Sequence, residues 1–402
     1  MWARKRIDIG WADLVRAAAY TVLPLKAPVA RQMATPLWPG PGGVVSCLTE
    51  RSGLDLLLGT LAWPPGSEVL VSAVTIHDMV RIIEQHGLVA VPIDIDERDM
   101  SPRMESIERA VTSQTRAILV AHLFGGIFPT APIVEWAERH GVLVLEDCAQ
   151  AFDGRYAGHP QADVVMFSFG PIKTATALGG GLMRINHPDV CRRVRELHAT
   201  WPGQSRAAFL KRVLTYSVLK LIGGRLAFRL FVSACRMTRR DHDSLLNAAV
   251  RNLPEDFFGG LRQRPSPPLL RLMHRRIRLF DRPRLERRAA RGRLLARMLD
   301  KVVDCPGSRA ETHSFWLFPA KFDDCAHVIA SLRRFGFDAA VGGQLHAVVA
   351  PKGRETLDPI HARAVLSSSV CLPVYPEMPE REVERLGQVL LETVRQVSSD
   401  LP

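Results

Sequence analysis

Apolar positions along this chain follow two periods. Short runs rich in Val, Ile and Leu recur in SEVLVSAVT, GLVAVPIDID, TRAILVAH, GVLVLED and DVVMFSFG, bounded by Gly, Pro, Asp or His. Runs of that length between turn residues predict buried strands. Among them, ERSGLDLLLGTLAW, HDMVRIIEQHG and IVEWAERHG space their apolar residues as amphipathic helices do. The alternation predicts an α/β fold with a mostly parallel sheet covered by helices. After Arg193 the pattern changes. Residues 207–240 read as an apolar helical segment interrupted at Gly223-Gly224 and punctuated by Lys211, Lys220, Arg225, Arg229 and Arg236. Farther on, a basic helix at 285–302, a strand in FWLFPAKF, a helix in CAHVIASLRRFG and the closing VCLPVYPEMPEREVERLGQVL predict a smaller α/β domain. The expected organisation is an N-terminal arm (1–45) ending in the PLWPGPGG loop, a large domain (46–205), a helical segment (206–260) and a small C-terminal domain (261–402).

Two of the runs deliver chemistry. The run 142–145 leads to Asp147, and the run 164–169 carries Ser168 and leads to Lys173, followed by Gly179, Gly180 and Gly181. Groups just past strand ends in an α/β sheet lie where such folds bind ligands. An amine able to form a Schiff base, beside a fixed carboxylate, suits pyridoxal phosphate: the lysine takes the aldehyde and the acid keeps the ring nitrogen protonated. Lysine usage sharpens this reading. Between Lys26 and Lys211 the only lysine is Lys173, amid many arginines. Arginine supplies charge but stays protonated and cannot form the imine. The rival reading is a surface lysine in a loop.

The blocks EDCAQAF, SFGPIK and GGG, in that order, resemble the DegT/DnrJ/StrS-type sugar aminotransferases, with their ED-x-AQ, SF-x-x-x-K and glycine-pair pattern. The likeness runs from about Cys47 to Arg193 and returns near the C-terminus in LPVYP. It implies a pyridoxal-phosphate-dependent transferase of fold type I, with Lys173 and Asp147 as catalytic residues and Gln150 and Ser168 against the cofactor's phenolic and phosphate sides. Ser52, Gly53 and Leu54 resemble the family's SGT phosphate turn, where a glycine turn opening a helix offers backbone amides to an anion. Leu54 lacks the family's hydroxyl, and a purely structural glycine turn is the alternative. His122 and Gly125 match an H-x-x-G pattern. The family's ring-stacking aromatic falls at about Ile76, so His77 becomes the stacking candidate, with a helix-capping histidine as the rival. GLRQRPS resembles a loop that reaches a neighbouring subunit, which makes Arg262 and Arg264 candidate phosphate ligands in a homodimer with shared active sites. The resemblance implies amino transfer from an amino acid, glutamate being the expected donor, to a keto-sugar, a nucleotide-linked one being expected. Some relatives lack the lysine and act as dehydratases; Lys173 argues against that role here.

Composition narrows the picture further. The 402 residues carry a net charge of +12, mostly from arginine and concentrated in the second half. Blocks such as RLMHRRIRLFDRPRLERRAARGRLLAR admit nucleic acid, an anionic membrane or phosphorylated substrates, besides a plain solvated face. No nucleic-acid partner is expected. A catalytically silent basic regulatory protein on the same fold is one rival function, and a membrane-surface enzyme with a non-sugar substrate is another. For the latter, 209–237 offers a peripheral contact, with packing inside the chain or in a dimer as the competing use. Seven cysteines without CxxC spacing fit a reducing compartment, and no metal site is expected. Asp94 and Asp96 in PIDID read as a turn rather than as metal ligands. MWARKRIDIGWADLVR lacks a continuous apolar stretch after its charges, so no secretory signal is expected and the cytoplasm is the expected location.

Overall fold

The structure is a computed structural model that describes all residues except 5, 25, 35–36, 39–42, 239–241, 243–244, 246–255, 343–344 and 400–402. Most of the PLWPGPGG loop therefore lies outside the described residues. The chain divides into two compact units: Met1–Arg4, Trp63–Asp153 and Asp281–Pro402 form one, and Lys5–Ala62 with Gly154–Phe280 form the other.

The first unit contains the predicted parallel sheet. Strands Leu143–Asp147, Thr115–Ala121, Glu68–Ser72 and Val89–Ile93 pair in that order, all parallel. Parallel neighbours need crossovers, and the helices His77–Gln85, Met104–Ala110 and Ala131–His140 provide them. Because helices cover such sheets, the strands are buried along most of their length, as with Val69, Leu70, Val91, Ile118 and Leu145. The same unit holds the smaller antiparallel sheet of Phe318–Lys321, Ser369–Leu372 and Ala340–Val341. Its core gathers Phe315, Phe318, Phe337, Leu332 and Leu386. The expected basic helix runs Arg282–Leu299. Trp2 joins this core, its indole donating to Glu382 at 2.8 Å and its amide to the Gly336 carbonyl at 2.8 Å.

The second unit is built on an antiparallel set: Gly43–Cys47 pairs with Gly181–Ile185, which pairs with Val164–Ser168. The N-terminal stretch contributes the helix Trp11–Val22, with Leu14, Ala17 and Thr21 buried. It packs against the helices Arg206–Ile222 and Pro267–Arg278. Arg275 and Arg276 both clamp Asp13, at 2.7 and 2.9 Å. The apolar segment after Arg193 forms two helices, Arg206–Ile222 and Arg225–Met237, broken at the predicted glycine pair. Each buries one stripe, Phe209, Val213 and Tyr216 in the first, and Phe228, Val232 and Cys235 in the second. No helix among the described residues is long and apolar enough to cross a membrane.

Three histidines are held far below their ordinary pKa. Burial, then Arg264, pushes His198 down to about 4; burial, then Arg288, pushes His313 down to about 3; burial, then His77, pushes His346 down to about 4. The folded chain therefore keeps them neutral where the unfolded chain protonates them, near pH 6.5. This contribution to stability is present above pH 6.5 and is lost as pH falls toward 4. The melting temperature should accordingly drop between pH 6.5 and 4, and His313→Gln should flatten that drop. A wild-type profile that stays level over this range would contradict the assignment.

Candidate functional site

The lysine loop is closed at its base by backbone hydrogen bonds. Ala177 and Gly179 both donate to the Phe169 carbonyl, at 3.0 and 3.1 Å, and Phe169 donates to Gly180 at 2.9 Å. Within the loop, the Lys173 amide donates to Gly170 at 3.0 Å and the Thr176 amide to Lys173 at 3.2 Å. Lys173 is thus a half-buried side chain on a constrained turn at the end of Val164–Ser168. Ser168 ends that strand, 8% exposed, and its hydroxyl makes no hydrogen bond among the described residues. The following glycines allow close approach of backbones. A Cβ on Gly181 would fall 2.8 Å from the Glu50 nitrogen, and Gly180, at φ +90°, donates to the Leu48 carbonyl at 2.7 Å.

The helix that follows Leu48 departs from expectation. It runs Glu50–Leu61 with Thr49 as its cap, so Ser52-Gly53 is not a turn but lies in the first helical turn. The Ser52 amide donates to the Thr49 hydroxyl at 3.0 Å, and the Gly53 amide to the Thr49 carbonyl at 3.1 Å. Ser52 and Leu54 are fully buried. Those two amides are spent on the cap and on the first helical hydrogen bond, so the expected turn with free amides at Ser52-Gly53 is replaced by helix.

In the other unit, Asp147 ends the strand Leu143–Asp147, half-buried. One carboxylate oxygen accepts from the Ala149 amide at 2.8 Å, which turns the chain away and fixes the carboxylate. Gln150 accepts from the Phe124 amide at 2.8 Å. That bond steadies a left-handed pair, Phe124 at φ 58° and Gly125 at φ 94°. At Gly125 a Cβ would meet the Ser314 hydroxyl at 2.4 Å and the Trp316 nitrogen at 2.7 Å, so only glycine fits. His122 and Glu146 form a fully buried pair at 2.8 Å, joined by Thr130 at 3.4 Å. Cys148 brings a third potential ligand, all three within 4.8 Å, which the sequence did not show as a cluster. The His122–Glu146 hydrogen bond already engages two of the three.

His77 opens its helix exposed, and its ring stacks on His346 with centroids 3.5 Å apart and planes 11° from parallel. One face of the proposed stacking residue is therefore taken by a histidine that sequence reasoning missed. Pairing of Leu345–Ala347 with Val74–Ile76 brings His346 there. Asp94 accepts from the amides of Ile95, His361 and Ala362, which accounts for it structurally.

Arg262 and Arg264 also fold back into their own unit. Arg262 makes a two-pronged contact with Asp55, at 2.9 and 3.0 Å. The Asp55 side chain is 1% exposed and that of Arg262 40%. The hydrogen bond to Asp55 raises the guanidinium pKa further. Arg264 donates from Nε to the Trp201 carbonyl at 2.9 Å.

Comparison with known proteins bears on the fold and on part of the sequence. The structure matches that of aminotransferase TlmJ from Streptoalloteichus hindustanus with a TM-score of 0.71 at 18% identity, covering 99% of this chain and 100% of the other. The expected α/β transferase fold is borne out. Residues 43–218 match the DegT/DnrJ/EryC1/StrS aminotransferase family, the family that the motifs resemble. UDP-N-acetyl-3-dehydro-alpha-D-glucosamine 3-aminotransferase of Acidithiobacillus ferrooxidans is 33% identical over 163 residues, 39% of this chain and 44% of its own. GDP-perosamine synthase of Caulobacter vibrioides is 32% identical over 156 residues, 38% of this chain and 42% of its own. The chain spans less than half the length of these curated relatives.

The Arg262–Asp55 contact makes a direct prediction. Removing the cation takes a two-pronged, charge-assisted contact from a buried carboxylate, so Arg262→Ala should destabilise the protein by about 2–3 kcal/mol. Adding Asp55→Asn should recover much of that loss. Urea unfolding of the single and double variants checks this; an Arg262→Ala protein as stable as wild type would show that the contact has no structural weight.

Proposed function

We propose that the protein is a pyridoxal-phosphate-dependent aminotransferase that moves an amino group from an amino acid, glutamate being the expected donor, to a nucleotide-linked keto-sugar in polysaccharide or secondary-metabolite biosynthesis. The observation that carries this reading is Lys173, the one lysine between Lys26 and Lys211, held on a closed loop within the stretch that matches the family. The residues fit the cofactor. Ser168 offers a buried hydroxyl without a hydrogen bond among the described residues, suited to a phosphate oxygen. Asp147 has one oxygen fixed by Ala149 and leaves the other for a ring nitrogen. When bound, pyridoxal phosphate supplies an aldehyde that takes up amines and a ring that accepts electrons. In this reading the Lys173 amine holds the cofactor and then carries the proton exchanged at the substrate carbon. The Asp147 carboxylate keeps the ring nitrogen protonated, and the Gln150 amide lies on the phenolic side. Seven free cysteines support a reducing, cytoplasmic setting. Borohydride reduction of the cofactor-loaded protein followed by peptide mapping should place the label on Lys173. A label on any other residue sinks the assignment.

The active unit in this reading is a homodimer. With Arg262 committed to Asp55, Arg264 is the better candidate to reach a partner's phosphate site, since only its Nε is engaged among the described residues. A monomer by light scattering at working concentrations would remove this part of the proposal.

A peripheral membrane contact through 209–237 is favoured by the outward faces of the two helices. Leu214 is 57% exposed, Leu226 71% and Leu230 62%, and Arg225 and Arg229 lie beside the leucines. Residues 197–240 contain nine Lys or Arg and no Asp or Glu. A second copy of this face would set like charges against each other, whereas anionic lipid would neutralise them. Sedimentation with phosphatidylglycerol vesicles should fall sharply for Leu226→Asp/Leu230→Asp. Equal sedimentation of wild type with neutral and anionic vesicles would contradict the contact.

A further inference from the structure

The second unit contains a cavity that the aminotransferase chemistry leaves unused. Its volume is about 620 Å³, and it lies among the helix Trp11–Val22, the segment 26–32 and the helix Pro267–Arg278. Its lining is basic: Lys26, Arg271, His274, Arg275 and Arg278, with Tyr20 beside them. No carboxylate lines it among the described residues. Arg275 is neutralised from outside the cavity by Asp13 at 2.7 Å. Lys26, Arg271 and Arg278 have no ion-pair partner among the described residues, and the Arg271 Nε is buried without a hydrogen bond.

We propose that this cavity binds a ligand carrying two linked phosphates. An ordinary basic helix face spreads its charges into solvent; here Arg271, Arg275 and Arg278 of one helix and Lys26 of a separate segment line one concavity, closed on another side by Tyr20. Three uncompensated cations at one place repel one another, and a polyanion offsets that cost while supplying acceptors for the guanidinium donors. Burial, then Arg278 and Arg271, holds His274 below its ordinary pKa, as expected where the local potential is positive. A cavity of about 620 Å³ exceeds what one phosphate fills and lies within the usual range for small-molecule sites. Two chemical sources offer a diphosphate: a soluble nucleoside diphosphate group, as on a nucleotide-linked sugar, or the headgroup of a diphosphate lipid. The inference stands on the cavity and does not depend on cofactor chemistry at Lys173, so the two can fail separately.

The test is calorimetric titration of the full-length protein with inorganic pyrophosphate and with uridine diphosphate, alongside sedimentation with phosphatidylcholine vesicles doped with a polyprenyl diphosphate. Lys26 and Arg278 are exposed, so Lys26→Gln/Arg278→Gln alters the site without disturbing packing, and Arg192→Gln/Arg309→Gln removes equal charge elsewhere. Wild type should bind at least one probe saturably, about tenfold more tightly than the Lys26/Arg278 variant. The control variant should bind as wild type does. Binding of the soluble probes assigns the site to a nucleoside diphosphate, and binding of doped vesicles alone assigns it to a lipid headgroup; either supports the site. Absence of saturable binding to every probe, or equal losses in both variants, overturns it.

Discussion

The close approach of backbones at Gly180 and Gly181 governs the geometry of the second unit. With no side chain at Gly181, the strand that it begins lies against the start of the helix Glu50–Leu61, and Gly180 ties directly to Leu48. Gly180 also accepts from Phe169, whose carbonyl takes two amides from the far side of the lysine loop. One glycine pair thereby connects the first strand, the capped helix and the loop that carries Lys173. A side chain at Gly181 would push against backbone, which cannot yield as a flexible side chain can.

Much of this was legible because it is local. The strand runs, the loop closing on Lys173 and the placement of Asp147 at a strand end follow from short patterns in which hydrophobic period and turn residues agree. What the sequence hid depends on residues far apart in the chain. His346 reaches His77 only through a strand pairing, and Asp55 meets Arg262 across a long stretch of sequence. The misplacement at Ser52-Gly53 has a different cause. Glycine usually signals a turn, but here Thr49 supplies the cap and the glycine continues the helix against Cys47 and Met183. Trp2, in turn, falls in the stretch expected as an N-terminal arm and is core, held by Glu382 and the Gly336 carbonyl.

Arginine does several different jobs in this chain. Arg275 and Arg276 hold Asp13, Arg262 neutralises a buried Asp55, and Arg276 also reaches the Thr176 carbonyl in the lysine loop at 3.1 Å. The excess positive charge is thus partly structural. Basic residues also run without a carboxylate through 197–240, which includes the helices after Ser205, and line the cavity beside Arg271. Both suit anionic partners, and neither is needed for the chemistry assigned to Lys173.

The central claim is that Lys173 is the residue through which this protein holds pyridoxal phosphate. The visible absorption spectrum of the purified protein during titration with the cofactor tests it most directly. Wild type should develop a saturable visible band at one equivalent per chain, and Lys173→Arg, which keeps the charge but cannot bond to the aldehyde, should not. An identical band in the variant, or none in the wild type, would contradict the account.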